Sequence, residues 1–157
     1  MKLYLVRHAE AVEKSVHPKR SLTRKGRRDA AKLGRHLRSL GLELPVIWYS
    51  KKARVIETAE ELVAAFRVRP KMIQRADLTP MASVKAIAKL LESRSRDLMI
   101  VGHEPFLSTL ASYLLTGRKS LCRLELAKPS VVCLEHDGRD DKAWTLHWML
   151  PGTVTQD

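Results

Sequence analysis

The chain has 157 residues, of which 45% are hydrophobic and 29% are charged. These proportions are typical of a folded protein and exclude a disordered chain, and the length predicts one domain, residues 1–157. Two cysteines are too few for a disulfide framework or a zinc finger. No apolar run approaches the roughly 18 residues of a membrane span, and Arg7 interrupts the first apolar run too early for a signal peptide. We expect a cytoplasmic monomer that does not contact a membrane.

The net charge of +12 makes an anionic partner or substrate the first expectation. Between residues 19 and 38 there are nine lysines and arginines and one acid, Asp29, so this segment contributes 9 minus 1, or +8. It is interpreted as a solvated helix face, a docking surface for an acidic phosphoprotein, or a nucleic-acid contact. Only 5% of the residues are aromatic and no stacking motif accompanies the charge, which disfavours nucleic acid.

The first half of the chain predicts two strands, each followed by a helix. The apolar run Leu3 to Val6 predicts a buried strand that ends at polar residues. Thr23 is positioned to cap the next helix and Gly41 to end it. Val46 to Tyr49 predicts a second strand, and Ser50 is positioned to cap the helix after it. The apolar stripes of the two helices are Ala30, Leu33, Leu37 and Leu40, and then Ile56, Ala59, Leu62, Val63 and Phe66.

The second half continues this alternation. Lys71 to Ile73 predicts a short strand, and Ser83 is a cap for the helix after it. Leu98 to Val101 predicts a strand that ends at Gly102-His103, and Pro105 suits the first turn of the following helix.

The end of the chain predicts a β-hairpin, with strands at Val131 to His136 and Ala143 to Met149 around an Asp137-Gly138 turn. Large apolar residues alternate with polar ones in its second strand; they are Trp144, Leu146 and Trp148. Strands that alternate with helices predict a three-layer α/β/α sandwich with a mainly parallel sheet. Ligands of such folds bind beyond the carboxyl ends of the strands.

Two of the predicted strands end in a histidine. Arg7 and His8 follow the first strand, His103 follows the later one, and Arg54 lies in the first turn of the helix after the second strand. We expect these side chains to meet at one edge of the sheet. Arginine can bind phosphoryl oxygens bidentately, and a neutral histidine beside such charges can attack phosphorus. The set therefore predicts phosphoryl chemistry.

The segment Leu5-Val6-Arg7-His8-Ala9-Glu10 resembles the Arg-His-Gly signature of the histidine phosphatase (phosphoglycerate-mutase-like) superfamily, with Ala9 in place of the usual glycine. The order and spacing of the motifs most resemble the short SixA-type phosphohistidine phosphatases, from residue 3 to about residue 149. The other matching motifs are Leu22-Thr23-x-x-Gly26, Tyr49-Ser50-x-x-x-Arg54-x-x-x-Thr58-Ala59-Glu60 and Val101-Gly102-His103-Glu104-Pro105.

This resemblance implies the histidine phosphatase fold and a phosphatase that forms a covalent phospho-His8 intermediate. It implies that Arg7 and Arg54 bind the phosphoryl group and that His103 donates a hydrogen bond to it. Ser50 is a further candidate for the phosphate site. We expect neither a metal nor a cofactor, because the other histidines lack metal-ligand spacing.

Larger members of the family carry an acidic proton donor on an insertion, whereas residues 79–91 here contain no carboxylate. Asp77, Glu10 and Glu104 remain as candidates, and Glu104 is favoured as a catalytic residue because it adjoins His103. The alternative is that no strong acid is needed, since phosphohistidine expels an imidazole that is protonated near neutral pH, whereas an alkyl phosphate expels a poor alkoxide.

The missing acid and the missing insertion, which leaves little to build a lid, favour a phosphorylated histidine on a phosphorelay or phosphocarrier protein as substrate. A general phosphomonoesterase that acts on small sugar or nucleotide phosphates is the alternative enzyme. A basic nucleic-acid-binding protein is the alternative from another class.

Overall fold

The structure, a computed structural model, describes residues 1–138 and 143–151. Six strands and four helices alternate in these ranges much as the sequence predicts. The elements are β1 (Lys2–Arg7), α1 (Arg24–Ser39), β2 (Val46–Ser50), α2 (Ala53–Val63), β3 (Lys71–Arg75), α3 (Val84–Glu92), β4 (Leu98–Gly102), α4 (Phe106–Thr116), β5 (Ser130–Glu135) and β6 (Thr145–Pro151).

The six strands form one sheet in the order β3-β2-β4-β1-β5-β6. The four strands from β3 to β1 are parallel, while β5 is antiparallel to β1 and β6 is antiparallel to β5. The predicted mainly parallel α/β sheet is thus confirmed. Because β2, β4 and β1 are neighbours, the residues after their carboxyl ends lie close together.

Helices cover both faces of the sheet, which gives three layers. Leu3 and Leu5 of β1 pack into the core with α3 and α4, whereas Tyr4 and Val6 point to the opposite core with α1 and α2. All residues of β4 are buried, as expected for a central parallel strand. Within the described ranges, no helix is long and apolar enough to cross a membrane.

The helix termini confirm two of the predicted caps and correct a third. The side chain of Thr23 accepts a hydrogen bond from the backbone N–H of Gly26 at 2.9 Å, and Ser83 accepts one from Ala86 at 3.3 Å. The prediction that Ser50 caps α2 is wrong. Ser50 is still paired with Arg75 of β3, so β2 extends through it and α2 begins three residues later.

The terminal hairpin is confirmed, but its predicted two-residue turn is wrong. Glu135 pairs with Thr145, so the connection spans residues 136–144, of which 139–142 lie outside the described residues. The alternation of Trp144, Leu146 and Trp148 indicates one shared face of the strand, which the structure does not show, because a bulge places Cys133 opposite Trp148 and Leu134 opposite Leu146. Trp148 therefore packs in the core on the α1 and α2 side, while Trp144 packs on the α3 and α4 side.

Candidate active site

Three neighbouring strands deliver polar side chains to one edge of the sheet. Ser50 is the last residue of β2, His103 follows β4, and His8 follows β1. The backbone N–H of His8 donates to the carbonyl of Gly102 at 3.1 Å, which continues the pairing of β1 with β4 beyond the last strand residue. All three side chains are at most 5% exposed. The parallel sheet thus builds a buried polar site where the sequence predicts it.

Arg54, in the first turn of α2, joins the two histidines. Its Nε lies 3.2 Å from Nε2 of His8, and its Nη2 lies 3.3 Å from Nδ1 of His103. The two imidazole rings are edge to face, with their centroids 5.6 Å apart. One guanidinium group therefore occupies the space between both rings.

The contacts of His8 determine which ring nitrogen carries the lone pair. A guanidinium group only donates hydrogen bonds, so Nε2 of His8 must accept from Arg54 and carries the lone pair. The other nitrogen, Nδ1, lies 2.7 Å from the carbonyl oxygen of Ala9 and donates its proton there. A backbone carbonyl thus orients the ring and directs the lone pair of Nε2 toward the cations.

Both histidines are held neutral. Burial lowers the pKa of His8 from 6.5 to about 3; the Ala9 carbonyl opposes this shift, and the charges of Arg54, His103 and Lys128 add to it. Burial and then the charges of Arg54 and Lys52 lower the pKa of His103 to about 4. Near neutral pH, both rings therefore have an unprotonated nitrogen.

Arg7 approaches the site from the α3 and α4 side of the sheet. Its Nη1 donates to the carbonyl oxygen of Leu126. Its Nε is buried and has no hydrogen-bond partner among the described residues, and the same is true of Oγ of Ser130, the register partner of Arg7 on β5. Arg7 also lines a cleft of about 480 Å³. Its guanidinium group thus retains donor capacity for a ligand.

The hydroxyl of Thr58 connects two of the sequence motifs, the one that contains Arg54 and the one that contains His8 and Ala9. Oγ1 of Thr58 donates to the backbone carbonyl of Arg54 at 2.6 Å and accepts from the N–H of Ala9 at 3.0 Å. This hydroxyl therefore ties α2 to the residue after His8.

The backbone at position 9 accepts alanine in place of the glycine of the family signature. Among the described non-glycine residues only Arg20 has a positive φ, so Ala9 needs no left-handed backbone.

Gly26 has a separate role at the start of α1. A Cβ atom at this position would lie 2.1 Å from the backbone oxygen of Glu10. Oγ1 of Thr23, which caps α1, also donates to the Glu10 carboxylate at 2.8 Å. The Thr23-x-x-Gly26 motif therefore packs the helix directly on the segment after His8.

Two further cations, Lys52 and Lys128, lie near the site histidines, and the sequence analysis assigned neither of them to the site. Lys52 lowers the pKa of His103, and Lys128 lowers that of His8. The pKa of Lys128 is itself lowered, first by burial and then by Arg7 and Arg20, with an opposing effect of Glu13. The net charge of the chain is consistent with a cluster of cations, but Lys128 lies near His8 only because the segment before β5 runs beside β1.

The three candidate acids all have local partners. The Glu104 carboxylate accepts from the backbone N–H and the hydroxyl of Ser108, in the first turn of α4. The Asp77 carboxylate accepts two hydrogen bonds from Arg75, which holds its pKa below the usual value. Glu10 accepts from the hydroxyl of Thr23. Each carboxylate thus stabilises local structure, and Glu104 also lines the cleft beside Arg7.

No group of three or more histidine, cysteine, aspartate or glutamate side chains in residues 1–138 and 143–151 is arranged to hold a metal ion. The guanidinium groups of Arg7 and Arg54 can bind an anion at the site. With the neutral imidazoles, they form a site suited to transfer of a phosphoryl group to a ring nitrogen.

The chain belongs to the histidine phosphatase superfamily (branch 1), whose family model matches residues 3–82. It is therefore a phosphatase, with the α/β fold of that superfamily. An uncharacterized protein of Picosynechococcus sp. (strain PCC 7002) is 29% identical over 96% of this chain and 100% of its own length.

Solved structures show the same fold at low sequence identity. The protein histidine phosphatase SixA in complex with tungstate is 18% identical and has a TM-score of 0.86 over 99% of this chain and 100% of its own. A phosphoserine phosphatase from Entamoeba histolytica, solved with 3-phosphoglyceric acid, is 14% identical and has a TM-score of 0.73 over 95% and 96% of the two chains. The fold thus occurs in phosphatases with different named substrates.

Proposed function

We propose that this phosphatase removes the phosphoryl group from a phosphorylated histidine on a protein, through a covalent phospho-His8 intermediate. The observation that carries the mechanism is the orientation of His8. Its Nδ1 is held by the Ala9 carbonyl, and its Nε2 faces Arg54 with a lone pair. A buried, neutral and oriented ring nitrogen beside cations is the arrangement that a nucleophile toward phosphorus requires.

In the first step, Nε2 of His8 forms a bond to phosphorus while the bond from phosphorus to the substrate nitrogen breaks. The leaving imidazole takes up a proton from solvent, and Arg54 and Arg7 donate hydrogen bonds to the phosphoryl oxygens. In the second step, a water molecule attacks phosphorus and releases a proton to solvent, the bond to Nε2 breaks, and inorganic phosphate leaves. His8 returns to its neutral state, so the cycle consumes one water molecule.

The hydrogen bonds of the three candidate acids bear on which leaving group the site can expel. Glu10, Asp77 and Glu104 each accept hydrogen bonds that stabilise local structure. A substrate whose leaving group needs little help from an acid therefore suits the site best, and an imidazole that is protonated near neutral pH is such a group. The cations around His8 favour an acidic partner protein.

A general phosphomonoesterase is the second candidate function. It is favoured by the position of Glu104, which adjoins His103 and lines the cleft beside Arg7. In that case Glu104 is the proton donor to an alkoxide leaving group.

The covalent step is tested by rapid quenching during turnover. We expect phosphate that is labile to acid and stable to base on the wild-type protein and on His147→Ala, a control on the exposed face of β6. We expect none on His8→Ala, which should keep its fold and lose hydrolysis. Turnover without protein-bound phosphate, or substantial activity of His8→Ala, would rule out the covalent mechanism.

The leaving group is tested with a phosphohistidine protein and a series of aryl and alkyl phosphates. We expect the phosphohistidine protein and activated aryl phosphates to react much faster than alkyl phosphates. Glu104→Gln should have a modest effect on phosphohistidine hydrolysis. A flat dependence of the wild-type rate on leaving-group pKa, made steep by Glu104→Gln, would instead identify a competent acid and support the phosphomonoesterase.

A further inference from the structure

The contacts of His103 raise a question about its role at a phosphoryl group. Its Nδ1 lies 3.3 Å from Nη2 of Arg54 and its Nε2 lies 2.9 Å from Oγ of Ser50. Because Arg54 can only donate, Nδ1 is the acceptor of that contact, and the ring proton lies on Nε2 and points at Ser50. In the free protein, the nitrogen that faces Arg54 thus carries a lone pair.

Binding of a phosphoryl group changes this arrangement. When Arg54 donates to phosphoryl oxygens, Nδ1 of His103 loses its donor and its lone pair meets an oxygen lone pair. This contact is unfavourable until Nδ1 carries a proton. Ser50 can resolve the conflict because a hydroxyl group both donates and accepts.

We infer that Ser50 is a positioning residue that lets His103 exchange its ring proton from Nε2 to Nδ1 when a phosphoryl group binds. In the free site, Nε2–H of His103 donates to Oγ of Ser50. In the occupied site, the hydroxyl of Ser50 rotates and donates to Nε2, and Nδ1–H donates to the phosphoryl oxygen. Nε2 releases its proton to solvent and Nδ1 takes one up from solvent, so the ring stays neutral and the exchange consumes no net proton. This inference rests on the proposed function of the site as a phosphoryl site.

Burial makes the hydroxyl of Ser50 hard to replace. Ser50 and His103 are each 2% exposed, so water has little access to the nitrogen that faces Ser50. Among the described residues, His103 is the one hydrogen-bond partner found for Oγ of Ser50. In the free site, the serine hydroxyl therefore has no acceptor, and the exchange gives it one. A buried donor without a partner is costly.

The charges around His103 favour exchange over protonation. Arg54 on α2 and Lys52 before it are both cationic and lower the pKa of His103, and His8 on the facing strand end is neutral. The neighbouring carboxylate of Glu104 accepts hydrogen bonds from Ser108. A bound phosphoryl dianion is already balanced by Arg7 and Arg54, so a second proton on His103 is not required.

The test uses histidine side-chain nitrogen NMR of the ¹⁵N-labelled protein, titrated with inorganic phosphate and with tungstate until the signals stop moving. His103→Gln assigns the signals. We expect a neutral ring with the proton on Nε2 in the free protein and on Nδ1 in the bound protein. A doubly protonated ring in the bound state, or a proton that stays on Nε2, would overturn the inference. This readout does not depend on which phosphorylated substrate the enzyme uses or on whether phospho-His8 forms.

Activity variants test Ser50 itself. We expect Ser50→Ala to lower kcat roughly tenfold or more with a smaller effect on KM, because the bound tautomer loses its donor. Ser50→Thr keeps a hydroxyl and should stay within about threefold of wild type. Ser112→Ala is the control, because it removes another buried hydroxyl that lies away from the site and donates a hydrogen bond to the carbonyl oxygen of Arg118 at 2.7 Å. This variant should lower thermal stability but not kcat. Unchanged kcat in folded Ser50→Ala, or equal losses in Ser50→Thr, would contradict the role.

Discussion

Replacing Arg54 with alanine should have a larger effect on catalysis than replacing any other cation of its helix turn. Arg54 is the side chain that contacts both site histidines, at 3.2 Å and 3.3 Å. Its backbone carbonyl, which accepts from Thr58, is retained in the variant, so the tie between α2 and Ala9 should survive. We therefore expect a folded protein with a defective site.

The size of the effect follows from charge and distance. A unit charge about 4 Å from a phosphoryl charge interacts with about 4 kcal/mol at an effective dielectric constant of about 20. Each 1.36 kcal/mol corresponds to a factor of ten in rate, so the full interaction is equivalent to a factor of about a thousand. In the variant, solvent that enters the emptied site replaces part of this interaction energy. We expect kcat/KM of Arg54→Ala to fall on the order of a hundredfold or more.

Arg54→Ala should also move the acidic side of the pH–rate profile. The charge of Arg54 lowers the pKa of His8 and of His103, in both cases after the larger effect of burial. Its removal should therefore raise both values from about 3 and about 4 toward the ordinary 6.5, without reaching it. Protonation of His8 removes the nucleophile, so activity should be lost at higher pH than in wild type.

The assay is steady-state hydrolysis of an aryl phosphate across pH, with wild type and variant on the same substrate so that its own ionisation cancels. Lys51→Ala is the matched control, since it removes an exposed charge three residues earlier. A loss of less than about threefold in Arg54→Ala, or an equal loss in Lys51→Ala, would mean that the wrong cation has been assigned to the phosphoryl group.

Three other variants test neighbouring parts of the site. Arg7→Ala should also reduce kcat/KM on the order of a hundredfold, and an activity close to wild type would show that its donors do not reach the phosphoryl group. Lys128→Met should raise KM severalfold and weaken the dependence of KM on salt, with little change in kcat, in steady-state assays at several ionic strengths. Gly26→Ala should destabilise the protein by about 1–3 kcal/mol in denaturant unfolding, because its Cβ would meet the Glu10 backbone; unchanged stability would contradict that packing.

Most of the fold follows from local sequence patterns. The apolar runs of β1 and β4 and the caps Thr23 and Ser83 are signals that lie within a few residues of the structure they produce. The two errors in the terminal hairpin have a different origin. Its register is set by the pairing of β5 with β6, and one extra residue at the bulge moves Trp148 to the other face. An alternating pattern does not show where a bulge occurs.

The candidate site likewise contains residues that local motifs predict and residues that only the strand order brings together. His8, His103 and Arg54 are predictable because each directly follows a strand or begins a helix. The bond of Ser50 to His103 depends on β2 lying beside β4, and a serine before a helix has a simpler explanation as a cap. Lys128 comes from a segment about 120 residues away from β1. Such contacts depend on strand order, which no single motif specifies.

Several unusual features of the described residues lie at the edge of the sheet that carries the candidate site. Among residues 1–138 and 143–151, the buried Nε of Arg7 and the buried hydroxyl of Ser130 have no hydrogen-bond partner, and Arg20 has a left-handed backbone at φ 52°. Burial and neighbouring arginines lower the pKa of Lys128. Each of these features costs stability in the free protein, and an anion with several acceptor oxygens would offset the unpaired donors and the repulsion between the cations together. We expect bound phosphate to stabilise the fold for this reason, since a ligand that binds the native state alone raises its stability.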